Sequence, residues 1–497
     1  MSGASSLHPE VSDLPVELLE RQGRRQVLVY QKTVHSLRAP QEEAEQWVGE
    51  QTPGETIFLI GDVTGNLTRA WKARFPQSSV VVLTASRICF EALESAGASK
   101  VWSPSCGSLA NFLENILTET GPQGVRLLLW PHFERAAPEE AKDWSEVFRK
   151  TFRFFQGSWL TQAVFGRRFG RNAVRNLLRW QTPFRLSPGS APILIAASGP
   201  SLESLLPWLK RHRQQYELWA LPSSLRFLIA QGLKPDLAVA TDGGWYAREL
   251  LWPLKQEPLP LLCALTSAAD RVLESHPVAF FTQGEPWEIP LASGFPALLP
   301  PVPSQGTVAV SAVQLACAAT TGPVLVAGMD LAYRAGHSHP HPHPVEDRLS
   351  CCSQRLATDE TRHWQQISSQ SIELQGGRTS PAMKTYAEWL DAPQRFSRPV
   401  FRLLTDSPLL RWQSMLELSL AQAEKLLSSI QGTASVKEKY ASTWPNLEER
   451  RSLLRRNLNK LRELRSTDPQ ISQALTFTRR SSALTSEQEL EHWESLL

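Results

Sequence analysis

ILIAASGPSLESLLPWL (193–209) decides the fold. A short, wholly apolar run stops at Ala197, a Ser-Gly-Pro-Ser turn follows, and Leu202, Leu205, Leu206 and Leu209 then take up helical spacing. An apolar run without alternation predicts a strand covered on both faces, and a helix starting at once predicts a βα unit of a parallel sheet. Such a turn aims backbone N–H groups and the positive end of the helix at one point, where an anion binds. Ser198 opens the turn, Gly199 lets a phosphate approach because it has no Cβ, Pro200 sets the first helical turn, and Ser201 offers an N-cap hydroxyl. A plain strand–helix cap has the same pattern.

Further runs of the same kind lie at 216–222, 236–242, 260–265, 278–283 and 323–330, with helical spacing at 202–213 and 224–232 between them. This predicts an α/β class chain whose central domain is doubly wound and Rossmann-like. Ligands of such sheets bind beyond the carboxyl ends of the strands. Three further groups fall there: Asp242, before Gly243 and Gly244; Gln305, Gly306 and Thr307, opening a long apolar helix; and Asp330 with Tyr333 after the strand at 324–329.

Alternating strand and helix signals at 26–131 predict a smaller α/β domain, preceded by a loose arm of about 25 residues. Its turn GDVTGNL (61–67) lacks the third glycine of a dinucleotide fingerprint and reads as a sheet turn without cofactor. GRRFGRNAVRNLLRW (166–180) is a basic helix with Arg167, Arg168, Arg171, Arg175 and Arg179 near one face, read as a solvated surface. Beyond 400, Leu416, Leu420 and Leu427, then Leu447, Leu454, Leu458 and Leu461, keep helical spacing, which predicts a helical domain or hairpin whose leucines pack within the chain by default, with partner binding or self-association as the alternative. The expected domains are 1–165, 166–400 and 401–497, in line with about 150 residues each.

A net charge of +3 argues against nucleic acid as partner. The N-terminus has no basic and apolar leader, no run of 18 apolar residues exists, and the six cysteines form no C-x-x-C pair, so a cytoplasmic, reducing, membrane-free setting is expected. Seventeen tryptophans are read as core and interface filling. His337, His339, His341 and His343 alternate with serine and proline, so an extended loop turns all four one way, where zinc or nickel finds ligands. Such histidines are more often incidental, and no metal is assigned.

The ordered set G-P-S-L after the first strand, P-D-x-x-x-x-x-D at 235–242, G-T-V-A at 306–309 and G-M-D-L-A-Y at 328–333 resembles the motility accessory factor family of flagellin glycosyltransferases. It is similar also to the wider group that includes archaeal hydroxymethylpterin diphosphokinases. The likeness spans about 26–400. It implies a sialyltransferase-like central domain that transfers a nonulosonic acid, of pseudaminic or legionaminic type, from a CMP-activated donor to Ser/Thr of flagellin, with no further cofactor. On that pattern Ser198, Gly199, Pro200, Ser201, Ser223, Asp242, Gln305, Gly306, Thr307 and Asp330 surround the nucleotide, Asp242 and Tyr333 act in catalysis, and Tyr333 steadies the departing phosphate. Two departures stand out: 375–378 holds no histidine where that group has its base, and RLLTDSPLL (402–410) replaces the family's Asn-x-Thr-Glu-Gly-Gly stretch. The base candidates are therefore His337, His339 and His363, with Glu373 behind them. Two alternatives stay open: an ATP- and Mg²⁺-dependent pterin diphosphokinase with Asp242 and Asp330 on the metal, and a flagellin-binding scaffold without catalysis.

Overall fold

The computed structural model describes residues 12–497 apart from 22–23, 256–258, 270–275, 297, 305, 335, 392–394, 407, 431–436, 440–443 and 479–484. The chain forms two compact units, Met1–Ala163 and Val164–Leu497. The 42-residue helix Pro138–Arg179 runs through the boundary expected at 165.

The second unit is built on an eight-stranded sheet. Its strand order is Val278–Phe281, Leu261–Ala264, Leu237–Ala240, Glu217–Ala220, Ile193–Ala196, Val324–Ala327, Val400–Leu404 and Leu416–Ser419. All neighbours pair in parallel. Leu194 and Ala196 face one hydrophobic cluster, and Ile193 and Ile195 face another, so helices cover both sides as the non-alternating runs predict. Strand order reverses at Ile193–Ala196: the chain first winds outward to Val278–Phe281, then returns to pair Val324–Ala327 on the other flank. Such a reversal opens a crevice at the carboxyl ends of the two central strands.

Two expectations need correction here. The boundary at 400–401 falls at the start of the strand Val400–Leu404, and Leu416, placed on a helix by its spacing, begins the edge strand Leu416–Ser419. Phe401–Leu404 pairs in register with Leu416–Ser419, and this tertiary pairing overrides the four-residue spacing of Leu416 and Leu420. Helix only begins at Leu420, where Ser419 and Gln422 close a capping box. The helical remainder is Leu447–Thr467, Pro469–Thr476 and Ser486–Glu494. Leu454, Leu458 and Leu461 are fully buried in this unit's own core, so the leucine stripe is engaged within the chain.

The first unit has a four-stranded parallel sheet in the order Lys100–Trp102, Ser79–Leu83, Thr56–Ile60 and Val125–Leu129. The arm read as loose is a strand from Val16: Val16–Arg21 pairs antiparallel with Arg24–Val29. Its charges at Glu17, Glu20 and Arg21 hid it from a hydrophobicity reading. In the GDVTGNL turn the buried Asp62 carboxylate accepts from the amides of Thr64, Gly65 and Thr68 and from the Thr68 hydroxyl. The chain's own anion thus fills the place a phosphate would take.

All six cysteines are unbridged, and among the described residues no helix is long and apolar enough to cross a membrane.

Candidate functional site

The crevice of the larger sheet is framed by two turns, at 197–201 and 328–333. Their contact is intimate. The Gly199 amide donates to the Gly328 carbonyl at 2.6 Å, and the Ser201 amide donates to Asp330 Oδ2 at 2.7 Å. Ser201 is therefore the first helical residue and not the cap; Pro200 stands at the cap position, and the capping acceptor arrives from the neighbouring strand. Gly199 answers to the same closeness, because a Cβ there would lie 2.5 Å from the Gly328 carbonyl and 2.6 Å from Asp330 Oδ2. The expected phosphate seat at this turn is thus filled by Asp330, for the reason that filled the other sheet's turn with Asp62. Beneath Asp330 lies the buried Arg402, whose guanidinium burial holds down to about 10 even though Asp330 and Glu417 oppose that shift.

The other expected site groups stand at the ends of neighbouring strands and helices of this unit. Ser198 and Ser223 come together, hydroxyl to hydroxyl, from two adjacent strand ends. Asp242 Oδ1 accepts from the Gly244 amide at 2.7 Å, and the Asp242 carbonyl accepts from the Ala268 amide at 2.9 Å, which shapes the turn after Leu237–Ala240. Gly306, with φ +74°, lies so close to Tyr386 and Trp389 that a Cβ would collide with both rings. Thr307 caps the helix Val308–Ala319 through the Ala309 amide. Gln305 lies outside the described residues.

The basic helix has a role its arginines concealed. Asn172 Nδ2 donates to the carbonyls of Gly243 and Thr266, and Asn176 Nδ2 to those of Leu265 and Ser267. Both asparagines are buried and hold the loops at the strand ends. The signal was present as two asparagines four apart on one helix face. Arg171 is held below its ordinary pKa by burial and then by the charges of Arg175, Arg167, Arg248 and Arg168. Arg167, Arg168 and Arg179 are exposed, as a solvated face requires, while the half-buried Arg171 and Arg175 form a cationic wall on the helix whose Asn172 holds the Gly243 carbonyl.

Tyr333 opens a cavity of about 580 Å³ whose wall includes Arg334, Trp364, Gly376, Arg378 and Asp406. The Tyr333 amide donates to the Arg378 carbonyl at 2.7 Å, which ties the site turn to the hairpin at 372–379. Arg334 reaches Asp406 at 3.6 Å, while its buried Nε makes no hydrogen bond. Asp406 is the one carboxylate on this wall among the described residues, and it comes from the divergent RLLTDSPLL segment.

The four loop histidines do not share one side. They pair four apart: His341 Nε2 lies 2.6 Å from His337 Nδ1, and His339 stacks on His343 with ring centres 4.4 Å apart. His343 turns inward to cap the helix Pro344–Cys351, which breaks the alternation. His363 lies on the helix Asp359–Gln370, its side chain outside the described set, and Glu373 is exposed and bound to Arg378 at 2.8 Å.

The chain thus holds two α/β units, and the larger is doubly wound, with a crevice at the topological switch point of its sheet. Comparison with known proteins sharpens this. Residues 169–336 match the family model described as 6-hydroxymethylpterin diphosphokinase MptE-like. An uncharacterized protein of Treponema pallidum (strain Nichols) is 25% identical over 305 residues, which is 60% of this chain and 64% of that one. The chain therefore spans under two thirds of that relative's length. A solved Maf glycosyltransferase from Magnetospirillum magneticum AMB-1 superposes with TM-score 0.54 over 99% of this chain and 86% of that one, at 12% identity. The chain has the fold of that Maf glycosyltransferase, and its residues 169–336 are similar to the MptE-like family.

Proposed function

We propose that the protein is a glycosyltransferase that moves a nonulosonic acid from a CMP-activated donor to Ser/Thr of flagellin in the cytoplasm. The observation that carries this reading is the cavity at Tyr333, set beside the switch-point crevice and bearing two guanidinium groups and one carboxylate. A nonulosonic acid is a sugar with a carboxylate; Arg334 and Arg378 offer it charge-assisted partners. The nucleotide lies along Ser198, Ser223 and Asp242, with the Arg171 wall supplying positive potential for the phosphate.

In the transfer, an acceptor hydroxyl oxygen bonds to the anomeric carbon as the bond from that carbon to the phosphate oxygen breaks. CMP leaves with the electron pair, and the hydroxyl proton passes to a base. Tyr333 donates toward the leaving phosphate. Of the base candidates named above, His337 and His339 are engaged by neighbouring histidines; Asp406, which was not among them, lies on the cavity wall, and we assign it the proton.

Calorimetric titration of the full chain with CMP, CDP, GDP and ATP, with and without Mg²⁺, tests this. Metal-independent binding selective for CMP, lost in Asp242→Ala, is the expected result. The MptE-like match at 169–336 favours a second reading, an ATP- and Mg²⁺-dependent diphosphokinase. ATP binding that requires Mg²⁺ would establish that reading in its place.

A further inference from the structure

We propose that the loop from His337 to Glu346 is a binding site for one divalent transition-metal ion of the zinc type, with His337, His341 and Glu346 as its protein ligands. One ligand atom from each of the three lies within 4.8 Å of the others. His341 sits between its partners: Nε2 is 2.6 Å from His337 Nδ1, and Nδ1 is 2.7 Å from the Glu346 carboxylate. The two imidazoles meet edge to face at 85° and share one hydrogen bond, so one of the two nitrogens gives up a proton when the ion binds. Bonds of about 2.0–2.1 Å to a tetrahedral zinc ion separate its ligand atoms by a little over 3 Å, close to the spacing here; His341 gives one nitrogen to the ion, and its contacts rearrange as it does so.

The backbone of the loop and the Glu346 carboxylate are held independently of any ion. The His341 amide donates to Glu203 Oε1 at 2.7 Å, the His343 amide donates to Glu346 Oε2 at 3.2 Å, and His337 exchanges backbone hydrogen bonds with Arg334. Preorganised ligands of this kind raise metal affinity. A second observation points to the same loop. His343 is 5% exposed, its Nδ1 accepts from the Val345 amide, and its Nε2 is buried with no hydrogen-bond partner. An orphaned imidazole nitrogen is costly to bury, and it stands in the loop that gathers the other donors.

The donor set selects the ion. Two imidazoles and a carboxylate suit zinc, nickel or cobalt, whereas Mg²⁺ takes oxygen ligands. Three protein ligands leave a fourth position for water or a ligand oxygen. Through Glu203 the loop is fastened to the helix Ser201–Arg211, which starts at the crevice, so the ion would lock the loop beside the nucleotide site. The inference stands apart from the transferase reading.

The test uses the tag-free full chain, stripped with a chelator and titrated with Zn²⁺ against a chromophoric competitor, without nucleotide. The wild type should bind one equivalent and gain thermal stability from it. His337→Ala and His341→Ala should weaken binding by on the order of a hundredfold. Glu346→Gln should weaken it as well while keeping the helix cap, because glutamine serves the same capping box; a loss there is not unfolding. His339→Ala should bind as the wild type does. Wild-type binding no tighter than that of the His337→Ala/His341→Ala double variant would overturn the proposal. So would binding that survives these changes but disappears with the exposed pair Cys351 and Cys352 replaced by serine. A chain that binds zinc but no nucleotide would sink the transferase reading and leave this one standing.

Discussion

Asp330 joins the two turns of the site by one hydrogen bond, so its side chain sets both stability and geometry. Asp330→Ala removes the acceptor from the Ser201 amide and should cost about 0.5–2 kcal/mol, as loss of an N-cap does. Asp330→Asn keeps an acceptor oxygen and should cost less; denaturant midpoints of the two variants decide this. Asp406→Asn should lower kcat by roughly 10²–10⁴-fold with little change in KM, if it takes the acceptor proton. Activity within a factor of a few of wild type would remove it from the mechanism. Glu288 makes a third prediction. Burial pushes its carboxyl up to about 8, with Glu285 adding to the shift, although Oε2 accepts from the amides of Gln283, Gly284 and Glu285. In the folded chain it holds its proton up to about pH 8, while in the unfolded chain it releases it near the ordinary carboxylate value of 4.5. The folded state therefore binds more protons between these limits, and Glu288 contributes less stability as pH rises from about 4.5 to about 8. Glu288→Gln should flatten that slope; an unchanged slope in unfolding curves from pH 5 to 8 would contradict it.

At the scale of elements, the asparagines do what the sequence credited to no one. Asn176→Ala leaves the carbonyls of Leu265 and Ser267 without their donor, and each buried orphan should cost roughly 1–3 kcal/mol. Replacing exposed Arg167 should cost far less, and a comparison of the two melting curves separates a helix that holds the loops from one that only carries charge. The central strands were legible because a parallel sheet covered on both faces demands unbroken apolar runs, and Ile193–Ala196 and Val324–Ala327 obey that demand. The edge strands were not. Leu416–Ser419 is half-exposed and its leucines fit a helix as well as a strand, so only pairing with Val400–Leu404 decides between them. The placing of polar groups at strand ends was legible by position: Ser198 and Ser223 meet there, and Asp330 stands beside the turn at 197–201. Their partners were not, since sequence cannot foretell that Asp330 would cap the helix at Ser201 or that Asp406 would join the wall with Tyr333.

For the whole molecule, the distribution of apolar side chains is the deciding fact. One hydrophobic cluster draws on residues from Leu14 to Phe155 alone, and the other two draw on residues from Phe169 onward. A domain with its own core can fold alone. Every site residue assigned above, from Asn172 to Asp406, belongs to the second unit. A chain of residues 164–497 keeps the Asn172 and Asn176 clamps, both central turns and the helices that bury Leu454, Leu458 and Leu461. It should therefore unfold in a single cooperative transition and bind the nucleotide with undiminished affinity. Transfer to protein should be the property that suffers, if the first unit serves the acceptor. Calorimetric titration and a mass-spectrometric transfer assay on the fragment, beside the full chain, read these separately. Loss of nucleotide binding in a fragment that still melts cooperatively would place part of the nucleotide site in residues 1–163, and the assignment of the switch-point crevice as the complete site would fall.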